Sequence, residues 1–140
     1  MFNKILLPID LEEEQSWAKA LPMAQRLAGE SGTVHLLGIV HDVGSALVAG
    51  FLPEGYEREA LSKMQRRLLE FAKDHGAEGR IEAHTGHGHV PEVILRQAKK
   101  TGAELIVMAS HSPDDLRTYL VGSHADKVVH NAKIPVLVMR

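Results

Sequence analysis

Residues 101–140 read TGAELIVMAS HSPDDLRTYL VGSHADKVVH NAKIPVLVMR: a strand, a polar loop, a helix and a second strand. Leu105-Ile106-Val107-Met108-Ala109 is apolar and of strand length. Ser110 to Asp115 is a polar turn, and Leu116 to Val121 leads on to Gly122-Ser123. Ala125, Val128, Val129 and Ala132 mark a helical face, and Pro135-Val136-Leu137-Val138-Met139 is a second apolar run. A strand whose loop opens onto a helix start is how α/β proteins build anion sites. The free N–H groups of the first turn face the ligand and the helix dipole adds positive potential. Gly122 lets a phosphate approach the backbone, and Ser123 pairs with Asp126 as a capping box.

The earlier chain repeats the alternation. Lys4 to Ile9 is almost wholly apolar, as suits a parallel strand buried on both faces. Asp10 stands at its carboxyl end, where open α/β sheets bind ligands. There it either meets a ligand hydroxyl or metal, or caps the coming helix or solvates a turn. Glu12-Glu13-Glu14 reads as a helix start, with Trp17, Leu21, Ala24 and Ala28 on one face. Pro22 calls for a kink or a late start. Thr33–Val40 is the second strand. Residues 42–56 form an apolar loop with Gly44, Gly50, Pro53 and Gly55, which is a flap over a pocket, a contact surface, or a segment folded back onto the core. Glu57–His75 is a helix with a buried stripe of Leu61, Met64, Leu68 and Phe71, its Lys63, Arg66 and Arg67 facing mostly water. Arg80–Thr85 is the third strand and Gly86-His87-Gly88-His89 a tight loop. Val90, Ile94 and Ala98 mark the next helix, with Pro91 in its first turn.

Bulk composition narrows the function. The chain has 140 residues, enough for one core, and a net charge of −2 gives no general pull toward nucleic acid or acidic lipid. It has no cysteine, which excludes disulfides, thiolate catalysis and thiolate-bound metal. No apolar run approaches the ~20 residues that span a bilayer. No basic-then-apolar leader stands at Met1. These readings permit an intracellular home, and a cytoplasmic protein without nucleic-acid or membrane partners is expected.

The chain resembles the universal stress protein family over essentially its whole length. The likeness rests on Ile5-Leu6-Leu7-Pro8-Ile9-Asp10, on Gly88 to Ala98, and on Met108-Ala109-Ser110-His111 with Gly122-Ser123 and Pro135 to Val138. The family's nucleotide signature is glycine, two residues, glycine, nine residues, then glycine with serine or threonine. Ala109, Ser112, Gly122 and Ser123 hold those places, so the spacing is kept and the first two glycines are replaced. The opening Ala-Ser-His is similar to a bacterial branch associated with ATP binding.

The resemblance implies one universal stress protein domain over residues 1–140. Its fold is a single-domain open parallel five-stranded sheet of order 3-2-1-4-5, Rossmann-like or flavodoxin-like, with helices on both faces. ATP with Mg²⁺ is the implied ligand. Pro8, Ile9 and Asp10 would hold the adenosine end with Ile39, which packs on the base. Met108, Ala109 and His111 would line the wall, and Ser112, Gly122, Ser123, His124 and Ala125 would surround the phosphates. Homodimers or higher oligomers would form through Val136 to Met139. The replaced glycines motivate a second reading, a dimeric interaction module that binds no nucleotide. A slow ATPase is a third.

Catalytic residues are not expected. The chain has no P-loop glycine-rich motif with its lysine, and Arg117 is the only fixed cation between Ser112 and Gly122. His84, His87 and His89 have the spacing of a metal cluster, but no carboxylate lies among them, so solvated loop histidines and no metal are expected. His124 is expected to be exposed.

Overall fold

The computed structural model describes residues 1–41, 50–76, 80–110 and 123–140. Strands β1 (Lys4–Pro8), β2 (Thr33–Val40), β3 (Arg80–His87), β4 (Leu105–Ala109) and β5 (Val136–Met139) form one parallel sheet of order β3-β2-β1-β4-β5. Helices α1 (Ala20–Ala28), α2 (Tyr56–His75), α3 (Val90–Thr101) and α4 (Ser123–Asn131) lie between the strands in sequence. This is the expected α/β fold with the expected strand order.

Two-sided burial accounts for the unbroken apolar runs. Alternate residues of a strand face opposite sides of the sheet. Ile5 and Leu7 of β1 join Leu21, Ala24 and Ala28 of α1 and Leu68 and Phe71 of α2 in one core. Leu6, between them, joins Val93, Ile94 and Ala98 of α3 and Ala125 and Val128 of α4 in the other. Helices α1 and α2 therefore cover one face, and α3 and α4 the other.

Two boundaries and one helix face differ from the sequence reading. Helix α1 begins at Ala20, well after Glu12-Glu13-Glu14, and only a 3₁₀ turn at Glu14–Ser16 precedes it. Pro22 thus falls in the first turn of α1, where a missing N–H costs no helical bond. Strand β3 runs on through Gly86 and His87, which pair with Ile39 and Val40 of β2, so these two are not loop residues. Gly86 is required by close approach, because a Cβ there would overlap Val93 Cγ1 of α3. On α4, Ala125 and Val128 are buried but Val129 is exposed. Gly102 ends α3 with a left-handed φ of 71°, and its N–H caps the Ala98 and Lys99 carbonyls.

Candidate functional site

The carboxyl ends of β1, β2 and β4 open into a cavity of about 570 Å³. Pro8, Ile9 and Asp10 reach it from β1, Ile39, Val40 and His41 from β2, and Met108 and Ala109 from β4. His124 and Ala125, in the first turn of α4, close another side, with Val90 and Ile94 of α3. Of the residues singled out from sequence, Pro8, Ile9, Asp10, Ile39, Met108, Ala109, His124 and Ala125 therefore share this one cavity. Ser123 opens α4. His111, Ser112 and Gly122 lie outside the described residues, as does residue 117.

Asp10 acts in the turn as well as at the cavity wall. Its Oδ1 accepts the Glu12 N–H at 2.9 Å. Its N–H donates to Ser16 Oγ at 2.8 Å, and the Ser16 hydroxyl donates to its carbonyl at 2.9 Å. Of the two readings of Asp10, the structure shows the turn cap, and the bond from Glu12 sets the carboxyl group beside the cavity. His124 is half-buried rather than exposed, its ring edge-on to His89 at 6.1 Å between centroids.

Sequence reasoning missed the charged wall. Ala60, Lys63, Met64 and Arg67 of α2 line the cavity together, at the i, i+3, i+4, i+7 spacing of one helix face. Lys63 is exposed and Arg67 half-buried, so both meet water as expected and line the cavity as well. Their spacing was the available signal, because it puts both cations on the side of Met64. Arg67 Nη2 lies 2.6 Å from Oε1 of Glu12, another lining residue. The wall so built is apolar at Ile9, Ile39 and Met108, anionic at Asp10 and Glu12, and cationic at Lys63 and Arg67. Such a surface can bury a flat apolar group and offer charges of both signs to the polar parts of a ligand.

A second cavity, of about 830 Å³, lies between α2 and residues 52–55, with Val40 and His41 on the shared wall. Residues 42–49 of the apolar loop are outside the described set. Phe51 is 84% exposed, so at that position the loop does not fold onto the core.

The three spaced histidines do not converge. His84 lies against His35, with Nδ1 of His35 2.8 Å from Nε2 of His84. His87 is turned to the other face, its Nδ1 3.1 Å from Glu57 of α2. His89 is the residue before α3 and meets His124. Strand alternation separates His84 from His87, since an odd step along a strand changes face.

Among the described residues no helix is long and apolar enough to cross a membrane. The model of the universal stress protein family matches residues 1–140. Universal stress protein G of Shigella flexneri is 31% identical over 146 residues, covering 100% of both chains. The structure of universal stress protein UspA from Lactobacillus plantarum superposes with a TM-score of 0.75 at 20% identity, covering 99% of this chain and 97% of that one. A universal stress protein solved in complex with cAMP gives a TM-score of 0.68 at 17% identity, with coverage of 99% and 97%. With the family model matching residues 1–140 and a relative 31% identical over its whole length, the chain belongs to the universal stress protein family.

Proposed function

We propose that the cavity at the carboxyl ends of β1, β2 and β4 binds ATP or a related adenine nucleotide, and that the protein is a stress-response switch read through its oligomer or partner surfaces. The observation that carries this reading is the meeting of Asp10, Ile39, the first turn of α4 and the α2 cations on one cavity. Its volume of about 570 Å³ lies within the usual range for small-molecule sites. The cAMP complex of a protein with this fold supports an adenine nucleotide as the class of ligand.

In this reading Ile39 and Met108 flank the base, and Asp10 accepts a ribose hydroxyl. The phosphates lie toward Ser123, His124 and Ala125, where the first helical turn offers N–H groups without intrahelical partners. His111, Ser112 and Gly122 complete that end of the site. Lys63 and Arg67 balance the phosphate charge from the opposite wall. Mg²⁺ is held mainly by phosphate oxygens and water, and in this reading it stays on the phosphates, since Asp10 accepts the ribose hydroxyl and Glu12 pairs with Arg67. The ion would neutralise phosphate charge; the chain's own residues position and hold. Backbone donors and fixed cations stabilise bound phosphate without activating a water, so the reading is of a binding protein and not of an efficient ATPase.

The oligomer surface we assign to β5, an edge strand in the sheet order. The carbonyls of Pro135 and Met139 accept bonds from Ile106 of β4 and from Ser110, just past its end. The alternate residues Val136 and Val138 then direct their backbone groups to the open side, which a second copy can pair in a twofold contact. The protein is read as cytoplasmic.

The deciding experiment is calorimetric titration of the nucleotide-free chain with Mg·ATP, repeated with Asp10→Asn and Gly122→Asp. Saturable heat that both variants diminish is expected. No heat at millimolar nucleotide overturns the reading.

A further inference from the structure

At the other end of β2, on the face covered by α3, three side chains turn donor atoms toward one another. They are His35 of β2 and Glu82 and His84 of β3. The register pairs His35 with Glu82 directly, and His84 follows two residues on, so all three share one face. Nδ1 of His35 lies 2.8 Å from Nε2 of His84 and 3.4 Å from Oε2 of Glu82, and the last two atoms are 3.8 Å apart. The donors lie within 4.8 Å of one another. A triangle with these sides has its centre about 2.0 Å from each corner, the length of a zinc–imidazole or zinc–carboxylate bond.

We propose that His35, Glu82 and His84 form a binding site for a divalent transition-metal ion of the Zn²⁺ class. Two imidazoles and one carboxylate suit Zn²⁺, Ni²⁺ or Cu²⁺, whereas Mg²⁺ and Ca²⁺ take oxygen donors. The site has a closed floor and an open side. The His35 side chain is 9% exposed, His84 28% and Glu82 58%, and β3 is the outer strand of the sheet. An ion can thus enter from solvent, and its remaining positions are left to water or to an external ligand. Burial is the first influence holding both imidazoles below their ordinary value, and Lys4 and Lys100 act in the same direction against the opposing Glu82. That direction favours the neutral form, the one that metal ligation requires. In the contact between His35 Nδ1 and His84 Nε2 one ring donates and the other accepts, while the other nitrogen of His35, Nε2, is buried without a partner among the described residues.

Sequence spacing could not give this site. His84 was singled out with His87 and His89, whereas its partners His35 and Glu82 come to it only through the β2–β3 register. The site is separate from the nucleotide cavity, which is lined by Ile39, Val40 and His41 at the far end of the same strand.

The test is titration of the untagged, chelator-treated chain with ZnCl₂ by calorimetry, and with CoCl₂ by visible absorption. The expected result is one Zn²⁺ per chain in the wild type, with affinity at least about tenfold weaker in His84→Ala and Glu82→Gln. A Co²⁺ ligand-field band should be lost in both variants. His130→Ala, which changes an exposed histidine paired with Asp126, should bind like the wild type. Circular dichroism checks that the two ligand variants, each at a partly exposed position, remain folded. The proposal is overturned if the wild type takes up no Zn²⁺ at micromolar concentration, or if His84→Ala and Glu82→Gln bind as the wild type does.

Discussion

Arg67 of α2 holds Glu12, on the segment after β1, through a 2.6 Å contact between Nη2 and Oε1. Both partners line the cavity, so the pair sets the charge on one wall. Its side chains are 41% and 72% exposed, and exposed ion pairs contribute ~0–1 kcal/mol to stability. Arg67→Ala should therefore leave the urea midpoint almost unchanged. The same variant should weaken Mg·ATP binding by about 1.5–3 kcal/mol, the range for a hydrogen bond to a charged group. Glu12→Gln should tighten binding, because it frees Arg67 for phosphate. Calorimetry beside urea denaturation separates the two effects, and an equal loss in both would give Arg67 a structural role only.

Gly86 faces α3, and a methyl group there would overlap Val93 Cγ1. Both residues sit in well-packed surroundings, with Val93 fully buried. Gly86→Ala is expected to cost about 1–3 kcal/mol by overpacking, read as a lowered urea midpoint. Val93→Ala in the same chain should recover part of that loss, because it removes the overlapping methyl.

His35 and His84 give the fold an acid sensitivity of definite sign. Burial is the largest influence on both, and it holds each below its ordinary value of 6.5 in the folded chain. Between the folded values and 6.5 the unfolded chain binds more protons, so unfolding free energy rises with pH in that window. The contribution is fully present above pH 6.5 and is lost as pH falls through the folded values. Urea midpoints measured across this range in EDTA should fall on acidification, and the slope should be shallower in His84→Asn.

If β5 carries the dimer contact, the outward N–H of Val138 is part of it. Val138→Pro removes that donor and leaves the bonds of Pro135 and Met139 with Ile106 and Ser110 in place. Sedimentation should show a monomer whose circular dichroism matches the wild type. Leu137→Pro, on the inward register, should unfold the edge instead. A dimer that survives Val138→Pro would move the contact elsewhere.

The strands were legible because each is buried on both sides, and a run such as Leu105 to Ala109 needs no partner to be read. Their ends were not. Gly86 and His87 look like loop residues, yet pairing with Ile39 and Val40 outweighs their weak strand preference. The glutamates at 12–14 drew the first helix forward, while Pro22 marked its true first turn. The cavity residues on β1, β2 and β4 were legible because strand ends are where such sheets bind. Lys63 and Arg67 were not, because the Leu68 and Phe71 stripe defines one buried side and says nothing of a second neighbour. The joining of His35 with Glu82 needed the register of two strands, which no local pattern encodes.

The cavity walls come from Asp10, Ile39, Arg67, Met108 and His124, brought together from across the chain. No short fragment holds more than a part of them, so a ligand finds its site only on molecules that have completed folding. Such a ligand shifts the unfolding equilibrium by mass action, by about 2.7 kcal/mol at a hundredfold excess over its Kd. Heat tolerance of the purified chain should then track the concentration of whatever occupies the cavity, making the melting curve a gauge of that occupant.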